Sequence, residues 1–160
     1  MTLWWTPQGT QTAGREVRIP PWSTTLPHLF SAVGDDGLMV LTRVFVYGTL
    51  LPGGVRWPLI GPYVHTIAPA RVGGMLYDTG HGYPGARFAD DERWIEGSIL
   101  HLHAPTLGEA IELLDEVEGV GEGLFERVVV EPDGRPAWSY SYLPDIAGLA
   151  DLAGRWTPVD

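Results

Sequence analysis

Glycine and proline interrupt this chain at short intervals, with 21 glycines and 14 prolines among its 160 residues. Proline cannot donate the backbone hydrogen bond that helices and strands use, and glycine favours turns because it has no Cβ. The two residues follow no repeating period, which argues against a fibrous or low-complexity protein. We therefore expect short strands joined by turns, in one compact domain.

The charged residues exclude several classes of protein. The chain has ten arginines, no lysine and 20 carboxylates, which give a formal net charge of -10. It therefore lacks the basic surface of a nucleic-acid-binding protein. The absence of cysteine excludes disulfides, thiolate nucleophiles and cysteine-ligated zinc. No segment resembles a secretory signal or the run of roughly 20 apolar residues that crosses a membrane. We expect a cytoplasmic protein that contacts neither nucleic acid nor membrane.

Residues 1–39 differ from the rest of the chain, because they sustain neither a helical nor a strand period. We interpret them as a poorly ordered N-terminal extension, and residues 40–160 as the folded domain. One version of this interpretation places the true start of the protein at Met39. The alternative is that Trp4, Trp5 and Trp22 pack over the domain, or over a second subunit, as a lid.

Several segments are rich in apolar and β-branched residues and end at turn residues, as strands do. They are residues 40–47, 71–77, 94–103, 124–131 and 137–143. Between the last two, Asp133 and Gly134 favour the positive φ angles of a hairpin turn. In the last segment, Trp138, Tyr140 and Tyr142 alternate with serines, so the three aromatic side chains are expected on one face of the sheet.

One helix is clearly predicted. Thr106 and Glu109 form a capping-box pattern, and apolar residues recur at helical spacing from residue 107 to residue 117. Gly119 follows as a natural terminator. Because strands dominate and one helix is evident, we expect an α+β fold with a small barrel-like sheet.

Three segments resemble a known family when they are taken together. Residues 44–54 read Val-Phe-Val-Tyr-Gly-Thr-Leu-Leu-Pro-Gly-Gly, residues 94–102 read Trp-Ile-Glu-Gly-Ser-Ile-Leu-His-Leu, and residues 114–119 read Leu-Asp-Glu-Val-Glu-Gly. In this order and spacing they resemble motifs of the gamma-glutamylcyclotransferase-like (AIG2-like) family. The resemblance implies a mixed barrel-like sheet flanked by helices, with a pocket at the loop after the first strand. It also implies an enzyme of transferase or lyase type that needs no metal and no cofactor.

The resemblance assigns roles to particular residues. Glu118 matches the family's catalytic glutamate, which would act as the general acid/base. Tyr47, Gly48, Thr49 and Leu50 match the loop that would hold the glutamyl part of the substrate.

Other matches are weaker, and each has a structural alternative. Arg127 is either a substrate-binding residue or the partner of a structural carboxylate. Tyr142 either lines the pocket or packs in the core. Tyr83 and Pro84 either flank the substrate or form a turn. Phe125 stands where the family usually has tyrosine, so a hydrogen bond from that hydroxyl is in doubt.

The residue chemistry supports this assignment independently. Gly48 ends a buried strand, and a glycine there can bring backbone N–H groups close to a carboxylate or an oxyanion. Glu118 lies at the end of the predicted helix, where the last carbonyls raise the pKa of a carboxyl group. Helical spacing instead groups Asp115 with Glu112 near the solvated side, and Glu116 is interpreted in the same way.

The resemblance also implies an intramolecular reaction on a small gamma-glutamyl molecule. The substrate's α-amine attacks its own γ-carbonyl, 5-oxoproline forms and an amine or amino acid leaves. The leaving group stays open between gamma-glutamyl amines, lysine isopeptides and a gamma-glutamyl cap on a biosynthetic intermediate. The protein is expected to be a monomer or a homodimer.

Two other kinds of function were considered. A domain with the same fold and pocket could bind a small molecule or a partner without catalysis. His81, His101 and His103 suggest a metal site only weakly, because no carboxylate stands at ligand spacing. A phosphate-binding loop and a serine hydrolase are excluded by their missing motifs.

Overall fold

The computed structural model describes residues 3–4, 18–19, 30–34, 37–90 and 92–157. In the first part of the chain, two pairs of antiparallel strands are present. They are β1 (Leu3–Trp4) with β2 (Arg18–Ile19), and β3 (Phe30–Gly34) with β4 (Gly37–Val40). Apart from Val40, which the sequence assigned to a strand, these strands were not predicted. The extension over residues 1–39, and its alternative as a lid, lie mostly outside the described residues and stay predictions.

Seven strands form the main sheet of the described residues. They are β5 (Arg43–Val46), β6 (Val64–Asp78), β7 (Pro84–Phe88), β8 (Trp94–Leu102), β9 (Phe125–Val130), β10 (Ala137–Tyr142) and β11 (Ala150–Asp151). Their order is β11-β6-β8-β5-β10-β9, and β7 also pairs with β6. The pairing of β5 with β10 is parallel, and the other pairings are antiparallel.

The sheet is nearly closed, because β7 and β10 approach each other from different parts of it. The Ser141 hydroxyl of β10 donates to the Ala86 carbonyl of β7 at 3.5 Å. The Arg87 side chain of β7 donates to the Leu143 and Pro144 carbonyls, which follow β10. The predicted α+β fold with a small mixed barrel-like sheet is therefore confirmed.

Two helices accompany the sheet, α1 (Trp57–Ile60) and α2 (Leu107–Val117). The longer helix confirms the predicted one, whereas α1 was not predicted. The capping box was wrong, because the Thr106 side chain makes no capping hydrogen bond. Instead, a single turn at Ala104–Thr106 leads into α2, and the Leu107 N–H donates to the Ala104 carbonyl. Neither helix of the described part has the length and apolar character to cross a membrane.

The strand predictions differ in accuracy. Those for residues 94–103, 124–131 and 137–143 match β8, β9 and β10 to within one residue at each end. The prediction for residues 71–77 covers only the second half of β6, because residues 65–69 are exposed on both faces and show no strand period. The predicted strand over residues 40–47 is divided, since β4 ends at Val40 and β5 starts at Arg43.

The turn between β9 and β10 uses the two residues that the sequence indicated. Asp133 and Gly134 have φ angles of 55° and 73°. The loop is longer than a two-residue hairpin, because the pairing of β9 with β10 begins at Val130 and Ala137.

Strand β5 is buried on both faces and belongs to two hydrophobic cores. On one face, Val44 and Val46 pack with the apolar side of α2 and the aromatic side chains of β10, in what we call the helix-side core. On the other face, Phe45 packs with Ile95 and Ile99 inside the barrel, in what we call the barrel core.

Strand β10 shows the predicted alternation. Trp138, Tyr140 and Tyr142 all lie in the helix-side core. Ser139 points the other way and is fully buried, and its hydroxyl donates to the Phe45 carbonyl at 2.9 Å. This bond fastens β10 to β5.

The close approach of β5 and β8 at Gly97 generates a prediction about stability. A Cβ on Gly97 would lie 2.1 Å from the Val46 carbonyl oxygen and 2.9 Å from the Phe45 ring. Gly97→Ala should therefore lower the free energy of unfolding by about 1–3 kcal/mol through overpacking. Gly108→Ala is the matched control, because it lies in the first turn of α2 with nothing within 4 Å of a new Cβ. That change should raise the free energy of unfolding by about 0.5–1 kcal/mol. Urea unfolding measures both, and equal effects would contradict the close approach.

Candidate active site

A pocket opens where β5 ends. About 350 Å³ of space at this point is not filled by protein atoms, a figure that includes open solvent. Its walls come from the end of β5 and the loop that follows, the turn before β7, the end of α2 and strand β10. The lining residues are Phe45, Val46, Tyr47, Gly48, Thr49, Leu50, Arg56, Tyr83, Pro84, Glu118 and Tyr140. The structure therefore brings Glu118 together with the predicted loop at residues 47–50 and with Tyr83 and Pro84, and it leaves Arg127 and Tyr142 outside the lining.

Residues 47–50 pass along the pocket wall as a tight loop. The Leu51 N–H donates to the Gly48 carbonyl at 3.0 Å, and the Gly54 N–H donates to the Leu51 carbonyl at 2.8 Å. A Cβ on Gly48 would lie 2.7 Å from Cγ of Pro84. From the sequence, we expect this glycine to make room for a ligand, whereas in the structure it makes room for Pro84 on the neighbouring wall.

The Tyr47 side chain fixes the start of this loop. Its hydroxyl is buried and donates to the Tyr140 carbonyl at 2.6 Å. Burial raises the pKa of this hydroxyl well above 10.0, so it stays protonated and remains a donor. The loop is thereby fastened to β10.

Glu118 directly follows the last residue of α2. Its backbone N–H still donates to the Leu114 carbonyl at 2.9 Å, and Gly119 then ends the helix with a φ angle of 68°, as predicted. The Glu118 side chain lines the pocket and is partly buried. Burial raises its pKa from 4.5 to about 7, while the positive charge of Arg56 acts in the opposite direction. A carboxyl group with this pKa can both accept and donate a proton at neutral pH.

Arg56 lines the pocket but was missed by the sequence analysis. Its Nη1 donates to the Val117 carbonyl at 3.2 Å, and its guanidinium carbon lies 5.7 Å from the centre of the Tyr83 ring. Among the described residues it is the one arginine that lines the pocket. A single arginine in a loop of glycine, proline and apolar residues belongs to no motif, so no pattern in the sequence indicated it.

The wall beside the loop contains an aromatic side chain. Tyr83 and Pro84 lie in the pocket wall, and the Tyr83 carbonyl accepts a hydrogen bond from the Thr79 hydroxyl at 2.7 Å, within a turn. The turn, one of the two alternatives for this dipeptide, is therefore present, and any contact with substrate stays a prediction. Phe125 is buried with its ring centre 6.1 Å from that of Tyr83 and 5.3 Å from that of Tyr142. In place of a tyrosine, it fills an apolar site behind the wall.

Asp115 differs from its expected place on the solvated side of α2. It is partly buried, and its Oδ1 accepts a hydrogen bond from the Tyr140 hydroxyl at 2.8 Å. The same oxygen lies 3.0 Å from Nε of Arg127, whose guanidinium also lies over the Trp138 ring at 4.5 Å. Arg127 thus pairs with a structural carboxylate, which was one of its two alternatives. The network fastens α2 to β9 and β10 beside the pocket.

Tyr142 packs behind the pocket wall. A Cβ on Gly85 would lie 2.6 Å from Cγ of the Tyr142 ring, so the ring is in close contact with the backbone that follows Pro84. The structure therefore places Tyr142 in the helix-side core, and any contact with substrate stays a prediction.

No group of three or more histidine, aspartate or glutamate side chains in the described ranges is arranged to hold a metal ion. His81 stacks with Tyr83 at 6.1 Å between ring centres, and the rings of His65 and His103 lie 5.2 Å apart. The histidines considered for a metal site therefore do not converge with carboxylates on one point.

The sequence of the chain matches a known protein family. The family model described as gamma-glutamyl cyclotransferase, AIG2-like matches residues 44–158. A protein of Niallia circulans named gamma-L-glutamyl-butirosin B gamma-glutamyl cyclotransferase is 31% identical over 115 residues, which cover 68% of this chain and 72% of that protein.

Solved structures show the same fold. An AIG2-like protein of Mus musculus superimposes with a TM-score of 0.56 at 16% identity, over 73% of this chain and 88% of that one. An uncharacterised protein of Pyrococcus horikoshii gives a TM-score of 0.52 at 23% identity, over 71% of this chain and 88% of that one. The family model spans well over half of the chain, and the resemblance read from its motifs is confirmed: the chain belongs to the gamma-glutamyl cyclotransferase, AIG2-like family.

Proposed function

We propose that this protein is an enzyme that cyclises the gamma-glutamyl group of a small molecule to 5-oxoproline and releases the attached amine or amino acid. The observation that carries the proposal is the shared pocket of Glu118 and the loop at residues 47–50, which lie far apart in the sequence. Membership of the family and the name of the Niallia circulans relative support the same reaction class.

In this proposal the loop holds the glutamyl part of the substrate. The backbone N–H groups of Gly48, Thr49 and Leu50 bind its α-carboxylate or the oxyanion that forms on the γ-carbonyl, as such groups do in other enzymes. Holding the short chain folded keeps the α-amine close to the γ-carbonyl. This removes much of the entropic barrier to an intramolecular reaction.

Glu118 moves the protons. The α-nitrogen attacks the γ-carbon, and ionised Glu118 takes a proton from that nitrogen as the ring closes. The tetrahedral intermediate then collapses, the bond from the γ-carbon to the leaving nitrogen breaks, and Glu118 returns the proton to the leaving amine. A pKa of about 7 suits a group that must act as base and then as acid near neutral pH.

The leaving group is left open among the three classes considered from the sequence. The residues that line the pocket and keep some exposed surface are Arg56, Tyr83 and Glu118, whereas the remaining lining residues are buried. The glutamyl part is therefore proposed to lie on the buried side, and the leaving group to extend past Arg56 and Tyr83. The reaction needs neither metal nor organic cofactor. A cytoplasmic location and a monomeric or homodimeric state stay predictions.

Replacing the proposed acid/base tests the function. Glu118→Gln should lower kcat by about 10²- to 10⁴-fold, which is the usual contribution of general acid-base catalysis. The measurement is release of 5-oxoproline, by mass spectrometry, from a panel of gamma-glutamyl dipeptides, amines and lysine isopeptides. Glu116→Gln is the matched control, because it removes the same charge from an exposed position on α2. It should leave turnover near the level of the unchanged protein.

Two results would contradict this proposal. If Glu118→Gln and Glu116→Gln retain equal turnover, Glu118 is not the acid/base. If the unchanged protein releases no 5-oxoproline from any member of the panel but still binds gamma-glutamyl compounds, the non-catalytic binding domain becomes the better conclusion.

The raised pKa of Glu118 predicts how stability depends on pH. The folded pKa of about 7 lies above the unfolded value of 4.5, so the folded state holds this proton more tightly. Ionisation of Glu118 therefore leaves the free energy of unfolding unchanged below pH 4.5. It lowers that free energy by an increasing amount between pH 4.5 and 7, and by its full amount above pH 7. At about 1.4 kcal/mol per pKa unit, that amount is up to about 3 kcal/mol.

Glu118→Gln removes this cost. The free energy of unfolding of the variant, relative to the unchanged protein, should rise as the pH increases from 4.5 to 7 and then level off. Urea titrations at a series of pH values measure the difference, with Glu116→Gln as the control for net charge. A difference that is constant with pH would show that Glu118 has an ordinary pKa.

A further inference from the structure

Arg56 contacts three of the segments that form the pocket. Its backbone N–H donates to the Thr49 carbonyl at 3.0 Å, in the loop proposed to hold the glutamyl group. Its side chain donates to the Val117 carbonyl at 3.2 Å, at the end of α2. Its guanidinium also lies over the Tyr83 ring, in the turn before β7. One residue therefore links three walls that come from distant parts of the sequence.

Arg56 contacts α2 at its C-terminal end, where a positive charge is favourable. The last carbonyls of a helix lack partners within it and carry partial negative charge. The last turn of α2 contains no basic residue of its own. Arg56 supplies the positive charge from another loop, and the bond to Val117 uses one of the five N–H donors of the guanidinium.

The same positive charge acts on Glu118, the residue after Val117. Among the described residues, the groups that interact electrostatically with this carboxyl group are Arg56 and the hydroxyls of Tyr47, Tyr83 and Tyr140. Asp115, on the same helix, is paired with Arg127. Burial favours the protonated form of Glu118, and Arg56 is the group that opposes it.

We propose that Arg56 is a positioning residue that fixes the end of α2 against the loop at residues 47–50 and holds a positive charge beside Glu118. The proposal rests on the proposed function of Glu118 as acid/base. It assigns Arg56 no contact with the reacting atoms. Its effect on catalysis passes through the position and charge state of Glu118.

The first test needs no turnover. The Glu118 carboxyl group is titrated by carbon-13 NMR in the unchanged protein and in Arg56→Gln and Arg56→Lys. Loss of the positive charge in Arg56→Gln should move the Glu118 titration to higher pH, by about one pH unit. Arg56→Lys keeps the charge and should titrate close to the unchanged protein. If Arg56→Gln does not fold, Arg56→Met replaces it, because it also removes the charge.

Arg87→Gln is the matched control. Arg87 also donates to backbone carbonyls, those of Leu143 and Pro144 at 3.2 and 2.7 Å, but it does not line the pocket. Its replacement should leave the Glu118 titration unchanged. A general loosening of the fold would instead shift the Glu118 titration in Arg56→Gln and in Arg87→Gln alike.

The second test is the pH dependence of kcat/KM. In Arg56→Gln the acidic limb should move to higher pH, so that kcat/KM falls about fivefold at pH 7 and recovers at higher pH. The substrate's amine contributes equally to every variant, and the difference between variants therefore reports the enzyme. In Arg56→Lys the limb should stay in place while kcat falls, because lysine lacks the planar guanidinium that contacts Val117 and Tyr83.

An unchanged Glu118 titration in Arg56→Gln, or a loss of kcat/KM by the same factor at every pH, would overturn the proposal. The result is different if the proposed cyclisation is wrong but the role of Arg56 is right. In that case no variant, including the unchanged protein, would make 5-oxoproline, while the NMR titration would still shift in Arg56→Gln.

Discussion

The position of the pocket depends on the burial of β5 on both faces. Val44 and Val46 belong to the core that carries α2, and Phe45 belongs to the core inside the barrel. A shift in register by one residue would exchange the two sets of side chains, so both cores oppose it. Two hydrogen bonds hold β10 and the residue before it beside β5. The Ser139 hydroxyl donates to the Phe45 carbonyl, and Arg43 donates to the Pro136 carbonyl at 3.1 Å. The place where the strand stops, and with it the start of the pocket loop, is fixed as a result.

Features that depend on local chemistry were predictable from the sequence. Helix α2, strands β8 to β10 and the positive φ angles of Asp133 and Gly134 follow from periodicity and turn residues that act over a few positions. The pocket loop and Glu118 were found through their resemblance to family motifs. What could not be predicted depends on contacts between distant segments. Arg56 belongs to the pocket because it donates a hydrogen bond to the Val117 carbonyl. Asp115 is partly buried because it contacts Arg127 and Tyr140. The Thr106 cap failed for a local reason, because a single turn at Ala104–Thr106 directly before the helix took its place.

Asp115 and Glu118 lie about one helical turn apart, yet their surroundings differ. Asp115 faces a hydroxyl donor and a paired arginine, which satisfy its charge. Glu118 faces a pocket in which burial outweighs the positive charge of Arg56. Asp115 therefore holds the helix in place, whereas Glu118 lines the pocket at a cost in stability.

The parallel pairing of β5 with β10 has a consequence for how the protein is made. The hydrogen bonds that join the two strands, from Tyr47 to Tyr140 and from Ser139 to Phe45, connect residues 93 and 94 positions apart. Contacts of such long range form slowly, because a large loop must close before they contribute. During translation β5 leaves the ribosome well before its parallel partner has been synthesised. The apolar surface of β5 and the growing chain around it is then a site for aggregation or chaperone binding until the last strands arrive.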